Sequence, residues 1–137
     1  MSLDQSVSPT TPRWRSYALW AVKALLAAAF LSAGGAKLLG ASMMVETFDH
    51  IGVGQWFRYL TGLLEILGAA ALLLPATSGV AALLLTCVMV GAVVTHVFLI
   101  GGSFAPALLL LALNLVVAWN ERERIASALE TLQSAEA

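Results

Sequence analysis

The chain has 137 residues, 60% of them hydrophobic and 11% charged, with a net charge of −1 and a mean hydropathy of +0.89. That balance lies well outside the soluble range and reads as an integral membrane protein of the all-α class, a four-helix antiparallel bundle with the lipid bilayer as its first partner. Nucleic acid is not an expected partner. The long uninterrupted apolar runs lack the alternation of barrel strands, which excludes a transmembrane β-barrel.

Met1 to Pro12 is rich in Ser, Thr and Pro, and residues 1–15 are expected to be a disordered cytoplasmic N-terminus. Residues 16–120 form the membrane domain and 121–137 an amphipathic cytoplasmic tail. The first apolar run, Tyr17 to Leu39, follows Arg13 and Arg15 and ends in small residues, as a signal peptide would. It is too long for an ordinary signal core, so it reads as a membrane helix. Three further runs follow, Trp56 to Leu74, Val80 to Ile100 and Phe104 to Trp119, each near the roughly 20 residues that a hydrocarbon core of about 30 Å requires. "PATSG" and "GGS" are short enough to force antiparallel hairpins between the last three.

The stretch between the first two runs predicts a short amphipathic helix on the outer face. Ser42 is its N-cap, Met44, Phe48 and Ile51 form one stripe, and Gly52 stops it. After Trp119, the spacing of Ile125, Leu129 and Leu132 predicts the amphipathic tail helix. Arg13, Arg15, Lys23, Arg122 and Arg124 cluster at one side, while the first loop carries Glu46 and Asp49, so both termini are expected to be cytoplasmic in a multi-pass inner-membrane protein. Trp14, Tyr17, Trp20 and Trp119 mark the inner interface, and Trp56, Phe57 and Tyr59 the outer one.

Polar residues inside the apolar runs are the candidate site. About 20 residues of helix put Lys37 near the outer boundary, where it either snorkels to water or faces a partner charge. Glu65 falls about 15 Å below the outer end of its helix, near the midplane, where a carboxylate costs several kcal/mol unless paired or protonated. His96 returns to the outer leaflet and Asn114 lies at mid-depth. Because each Cβ tilts toward its helix N-terminus, Lys37 and His96 lean inward while Glu65 leans outward, so the three converge. About 15 Å of rise still argues against a tight contact between Lys37 and Glu65, leaving room for a water, His96 or a ligand between them. Thr61 shares the face of Glu65, and Thr95 lies beside His96. Plainer readings stand beside these: His96 as a structural hydrogen-bonding residue, Asn114 as helix-packing glue, Lys23 and Arg58 as interfacial anchors, and Glu46, Asp49 and His50 as solvated loop residues.

"AGGAKLLG", "FDHIGVGQWFRYLTGLLEILGAAALLLP" and "GAVVTHVFLIGG" together resemble the DoxX-like family of small bacterial four-helix membrane proteins. The likeness spans about Leu31 to Asn114. It maps Gly-x-x-Lys-Leu onto Gly34, Lys37 and Leu38, Gly-x-x-Glu onto Gly62 and Glu65, and Ala-x-x-x-His onto Ala92 and His96. The resemblance implies relatives that look like quinone-linked subunits, others that serve maturation of amine dehydrogenases, and many without known activity. No catalytic residue can be assigned. Cys87 is the single cysteine, which rules out Cys-x-x-Cys or an internal disulfide, and two histidines, one in a loop, speak against a bis-His haem. No metal and no intrinsic cofactor are expected. The leading expectation is an accessory subunit that binds a quinone or other lipophilic small molecule through Lys37, Thr61, Glu65, Thr95, His96 and Asn114, and that works with a protein partner or a second copy. Here His96 donates to a carbonyl, Glu65 handles protons and Lys37 balances charge. An assembly or chaperone module and a small proton-coupled transporter are the alternatives.

Overall fold

The computed structural model describes residues 12–136, and all regular structure among them is helical. The six helices are α1 (Arg13–Leu38), α2 (Ser42–Ile51), α3 (Gln55–Leu72), α4 (Ser78–Thr95), α5 (Ala105–Asn120) and α6 (Arg122–Glu136). α4 continues into one π-helical turn, His96–Ile100. Of the disordered stretch expected over residues 1–15, residues 1–11 fall outside the described residues, whereas Arg13 to Arg15 already belong to α1.

Each apolar run becomes one helix, and glycine and proline set the breaks. α1 ends in a Schellman motif. Gly40 has φ +70°, its N–H bonds the Lys37 carbonyl, and the Ala41 N–H reaches back to Ala36 at 3.0 Å. Gly52, at φ +80°, stops α2 as expected, with its N–H on the Phe48 carbonyl. Ser42 is not the N-cap. The capping position falls on Ala41, and Ser42 is the first helical residue. Pro106 sits in the first turn of α5, where its missing N–H costs nothing.

The core is a seam of Leu26, Ala27 and Phe30 from α1, Ala69 and Leu72 from α3, Ala81, Ala82, Leu85 and Met89 from α4, and Val117 and Ala118 from α5. α1 packs along α3, which packs on α4, and α4 packs on α5. α2 lies across α1, α3 and the π turn, with Phe48 buried and edge-on to Phe57 at 5.9 Å between ring centroids. Small residues set how closely the helices meet. A β-carbon on Gly34 would stand 2.8 Å from the Gly62 carbonyl oxygen, and one on Gly68 would stand 2.7 Å from Leu85.

Two helices, α1 and α4 with its π turn, are long and apolar enough to cross a membrane. Four were expected to. α5 has 16 residues, about 24 Å of rise, and α3 has 18, interrupted by Arg58 and Glu65. Within the two long spans only 28% and 11% of the apolar window is buried, so their outer faces, including Leu25, Leu31, Val90 and Val94, are apolar and exposed. α6 forms as expected, yet only Ile125 of its stripe is partly covered. Leu129 and Leu132 stand in the open.

The contact between α1 and α3 yields a paired test on neighbouring glycines. Gly34→Ala forces backbone against backbone and is expected to cost about 1–3 kcal/mol. Nothing lies within 4 Å of the corresponding position on Gly35. Gly35→Ala is therefore expected to be neutral or to gain up to about 1 kcal/mol from helix propensity. Thermal unfolding in detergent reads both, and equal losses at the two positions would contradict this packing.

Candidate functional site: a lysine and glutamate clamp beneath α2

The buried stripe of α1 reads Lys23, Leu26, Ala27, Phe30 and Gly34, with Lys37 on the same face one turn further. The two lysines are separated by just under four turns, about 21 Å of rise, so both point into the bundle from opposite ends of one seam. Apolar residues fill the distance between them.

Lys37 Nζ donates to both carboxylate oxygens of Glu65, at 3.0 and 2.8 Å. The expected convergence of these two residues holds, but the expected gap between them does not. The end of α1 lies level with Arg58 to Gly62 rather than with Trp56: the Lys37 Cβ is 3.0 Å from where a Gly62 side chain would begin, and its carbonyl accepts from Arg58. Glu65 is then less than one turn of α3 away, within reach of a lysine side chain. Glu65 is 2% exposed, so this pair is desolvated on the carboxylate side.

His96 does not join them. Its Nδ1 lies 2.9 Å from the Ala92 carbonyl on its own helix. The contact of Gly68 with Leu85 sets the register of α3 and α4, and about three turns outward from it lie Arg58 on one helix and His96 on the other. His96 is thus about two turns, or about 11 Å, beyond Glu65. A carbonyl can only accept, so in a neutral ring Nδ1 carries the proton and Nε2 is left as an acceptor. Thr61 and Thr95 turn their hydroxyls onto their own helices, to the carbonyls of Phe57 and Arg58 and of Gly91. Asn114 is fully buried, and among the described residues neither its Nδ2 nor its Oδ1 has a hydrogen-bond partner.

Two groups escaped the sequence reading. Lys23, read as an anchor, is 3% exposed and donates to Glu121 at 2.6 Å and to Ser78 at 3.2 Å, tying α1 to the start of α4 and the end of α5. Arg124 holds the other oxygen of Glu121 at 3.1 Å. The signal was the spacing of Lys23 and Lys37 on one face, together with an acid immediately after the last apolar run. Arg58, also read as an anchor, is 4% exposed. Its Nε donates to Gln55 Oε1, and its Nη1 to the Lys37 carbonyl at the α1 C-terminus, where helix dipole and cation attract. Among the described residues no group of three or more His, Cys, Asp or Glu side chains could hold a metal ion.

Compared with known proteins, residues 21–120 match the DoxX-like family, and the chain belongs to it. The family is membrane-associated. A search of curated proteins and a search of solved structures each returned no match.

A double-mutant cycle weighs the clamp. Lys37→Met leaves a buried carboxylate without its counter-charge and is expected to cost about 3–5 kcal/mol. Glu65→Gln removes the buried negative charge and should cost less. The double variant is expected to recover about 1–3 kcal/mol relative to the sum of the single losses, measured as thermal stability in detergent. Additive losses would mean that Lys37 and Glu65 act independently.

Proposed function

We propose that this member of the DoxX-like family is a multi-pass protein of the bacterial inner membrane in which α1, α3, α4 and α5 cross antiparallel. α2 then covers the outer end, and both termini are cytoplasmic. The apolar exposed faces of α1 and α4 support this, since in water they would be an aggregation surface. So do the exposed Trp14, Tyr17, Trp20 and Trp119 at one end and Trp56 and Tyr59 at the other. In this reading α3 crosses because its two charges are turned inward, with Arg58 and Glu65 both buried.

Within that frame the chain is an accessory subunit that binds a quinol or another lipophilic small molecule, with the redox centre on a partner protein. The observation that carries this is His96. It is half-buried, it opens a π-helical turn of the kind that often marks functional positions, and its Nε2 is uncommitted. An acceptor nitrogen suits the hydroxyl of a reduced quinone better than a quinone carbonyl, the reverse of the donor role expected from sequence. Lys37 and Glu65 already hold each other, so the ligand lies at the His96 end and the pair fixes the helix beside it.

A second reading, an assembly module for a client protein, is favoured by the tail. Leu129 and Leu132 are 55% and 65% exposed on a helix whose other faces are polar. The two readings separate on purification: bound quinone supports the first, whereas a single stoichiometric partner that is lost on Leu129→Glu supports the second.

Topology is tested in a Cys87→Ser background. Thr47→Cys should label from outside the cell and Glu130→Cys only from inside, and the opposite pattern would reject the orientation. For the ligand, decylubiquinol should bind the purified protein saturably. His96→Ala should weaken it about tenfold, the loss of one hydrogen bond. Equal binding by wild type and variant would remove His96 from the site.

A further inference from the structure

Arg58 carries a buried charge that, among the described residues, no carboxylate touches directly. Its side chain lies among the α1 C-terminus, the loop at Gly40 and the ring of Tyr59, which is 4.3 Å from its Cζ. A guanidinium has five N–H donors. Two are spent, on the neutral oxygens of Gln55 and the Lys37 main chain. Among the described residues no carboxylate lies within 4 Å of it, and the nearby Glu65 is held by Lys37. Lys37, Glu65 and Arg58 therefore leave one net positive charge inside the outer end of the bundle. The dipole of α1 offsets part of it, as about half an elementary charge at a helix C-terminus.

Beside the buried Phe48, one polar residue ties the cover to this charge. Gln55 accepts from Arg58 through Oε1, and its Nε2 donates to the Val45 carbonyl and to Asp49 on α2, at 3.0 and 2.6 Å. α2 is flanked by glycines with positive φ, Gly40 before it and Gly52 and Gly54 after it. Moving α2 would release Gln55 and uncover the guanidinium in the same step.

We propose that Arg58 is an anion-binding residue, and that when α2 moves aside its guanidinium takes the head group of a singly charged anionic amphiphile. The buried charges of Lys37, Glu65 and Arg58 lack one negative partner, since Asp49 of α2 is exposed and reaches Arg58 only through Gln55, and the planar fork of arginine matches a carboxylate or phosphate in two parallel hydrogen bonds. Leu38 and Leu39, exposed on the adjoining end of α1, offer the apolar surface along which a chain lies. This site uses different residues from the quinol reading, so each can fail alone.

The test uses the purified full chain in a non-ionic detergent with palmitate, its uncharged methyl ester, and inorganic phosphate as probes. Palmitate should raise the melting temperature saturably, the ester should not, and His96→Ala should leave the palmitate response unchanged. Arg58→Gln should weaken palmitate binding at least tenfold. Arg58→Lys, which keeps the charge and the fold but loses the fork, should fall between. Phosphate acting as well as palmitate would keep the anion site and assign it a soluble ligand. No response to either anion, equal responses to palmitate and its ester, or an undiminished response in both Arg58 variants would overturn the proposal and leave Arg58 as a helix cap.

Discussion

Everything in this fold is arranged around two lysines on one face of one helix. A charge placed among apolar side chains has to find an opposite charge, and α1 places one near each end of its buried stripe. Lys37 takes Glu65 from α3, and Lys23 takes Glu121 from the junction of α5 and α6. Between them Leu26, Ala27 and Phe30 form a dry apolar middle. Where helices are surrounded by apolar matter on all sides, burial of apolar surface has little power to choose their neighbours. Charge pairing and close glycine contacts can make that choice. The pair of Lys37 with Glu65 sits directly beside the contact of Gly34 with Gly62, so the two devices act at the same place.

The two ends differ in what they leave open. At the end away from α2 Lys23 is met by Ser78 and Glu121, and Glu121 by the exposed Arg124, so each buried charge there touches an opposite one. Ile125 closes over Gly79 there and seals it. At the α2 end, among the described residues, Arg58 touches no acid, His96 Nε2 has no partner, and the cover is a separate helix between glycines of positive φ. Unmatched polar groups are thus gathered at the α2 end of the seam, and matched pairs at the other.

How much of this was legible depended on whether a signal was local. The helices follow from apolar run length and from glycine and proline, and they stand close to where the sequence places them. The partnership of Lys37 and Glu65 was legible from the direction in which side chains lean along opposed helices. Its closeness was not, because a count of residues from each helix end ignores the register between helices, and that of α1 and α3 is set by two glycines. Lys23 and Arg58 were misread for one shared reason. A cation near the end of an apolar run looks like an anchor when its helix is considered alone, and only a neighbour supplied from elsewhere in the chain turns it inward. For Lys23 that neighbour is 98 residues away. The orphaned amide of Asn114 has no sequence signal at all, since nothing in a lone asparagine says whether a partner will be present.

That separation along the chain has a consequence for the order in which the molecule is made. Synthesis delivers α1 first, with both cations unmatched. Lys37 waits only 28 residues for Glu65, so the first two long helices can dock as soon as both have emerged. Lys23 must wait for Glu121, which follows the last long helix. Until then its ammonium has only water or the Ser78 hydroxyl to turn to. The pair of Lys23 with Glu121 therefore closes last, and a chain ending before Glu121 would keep that lysine without its carboxylate.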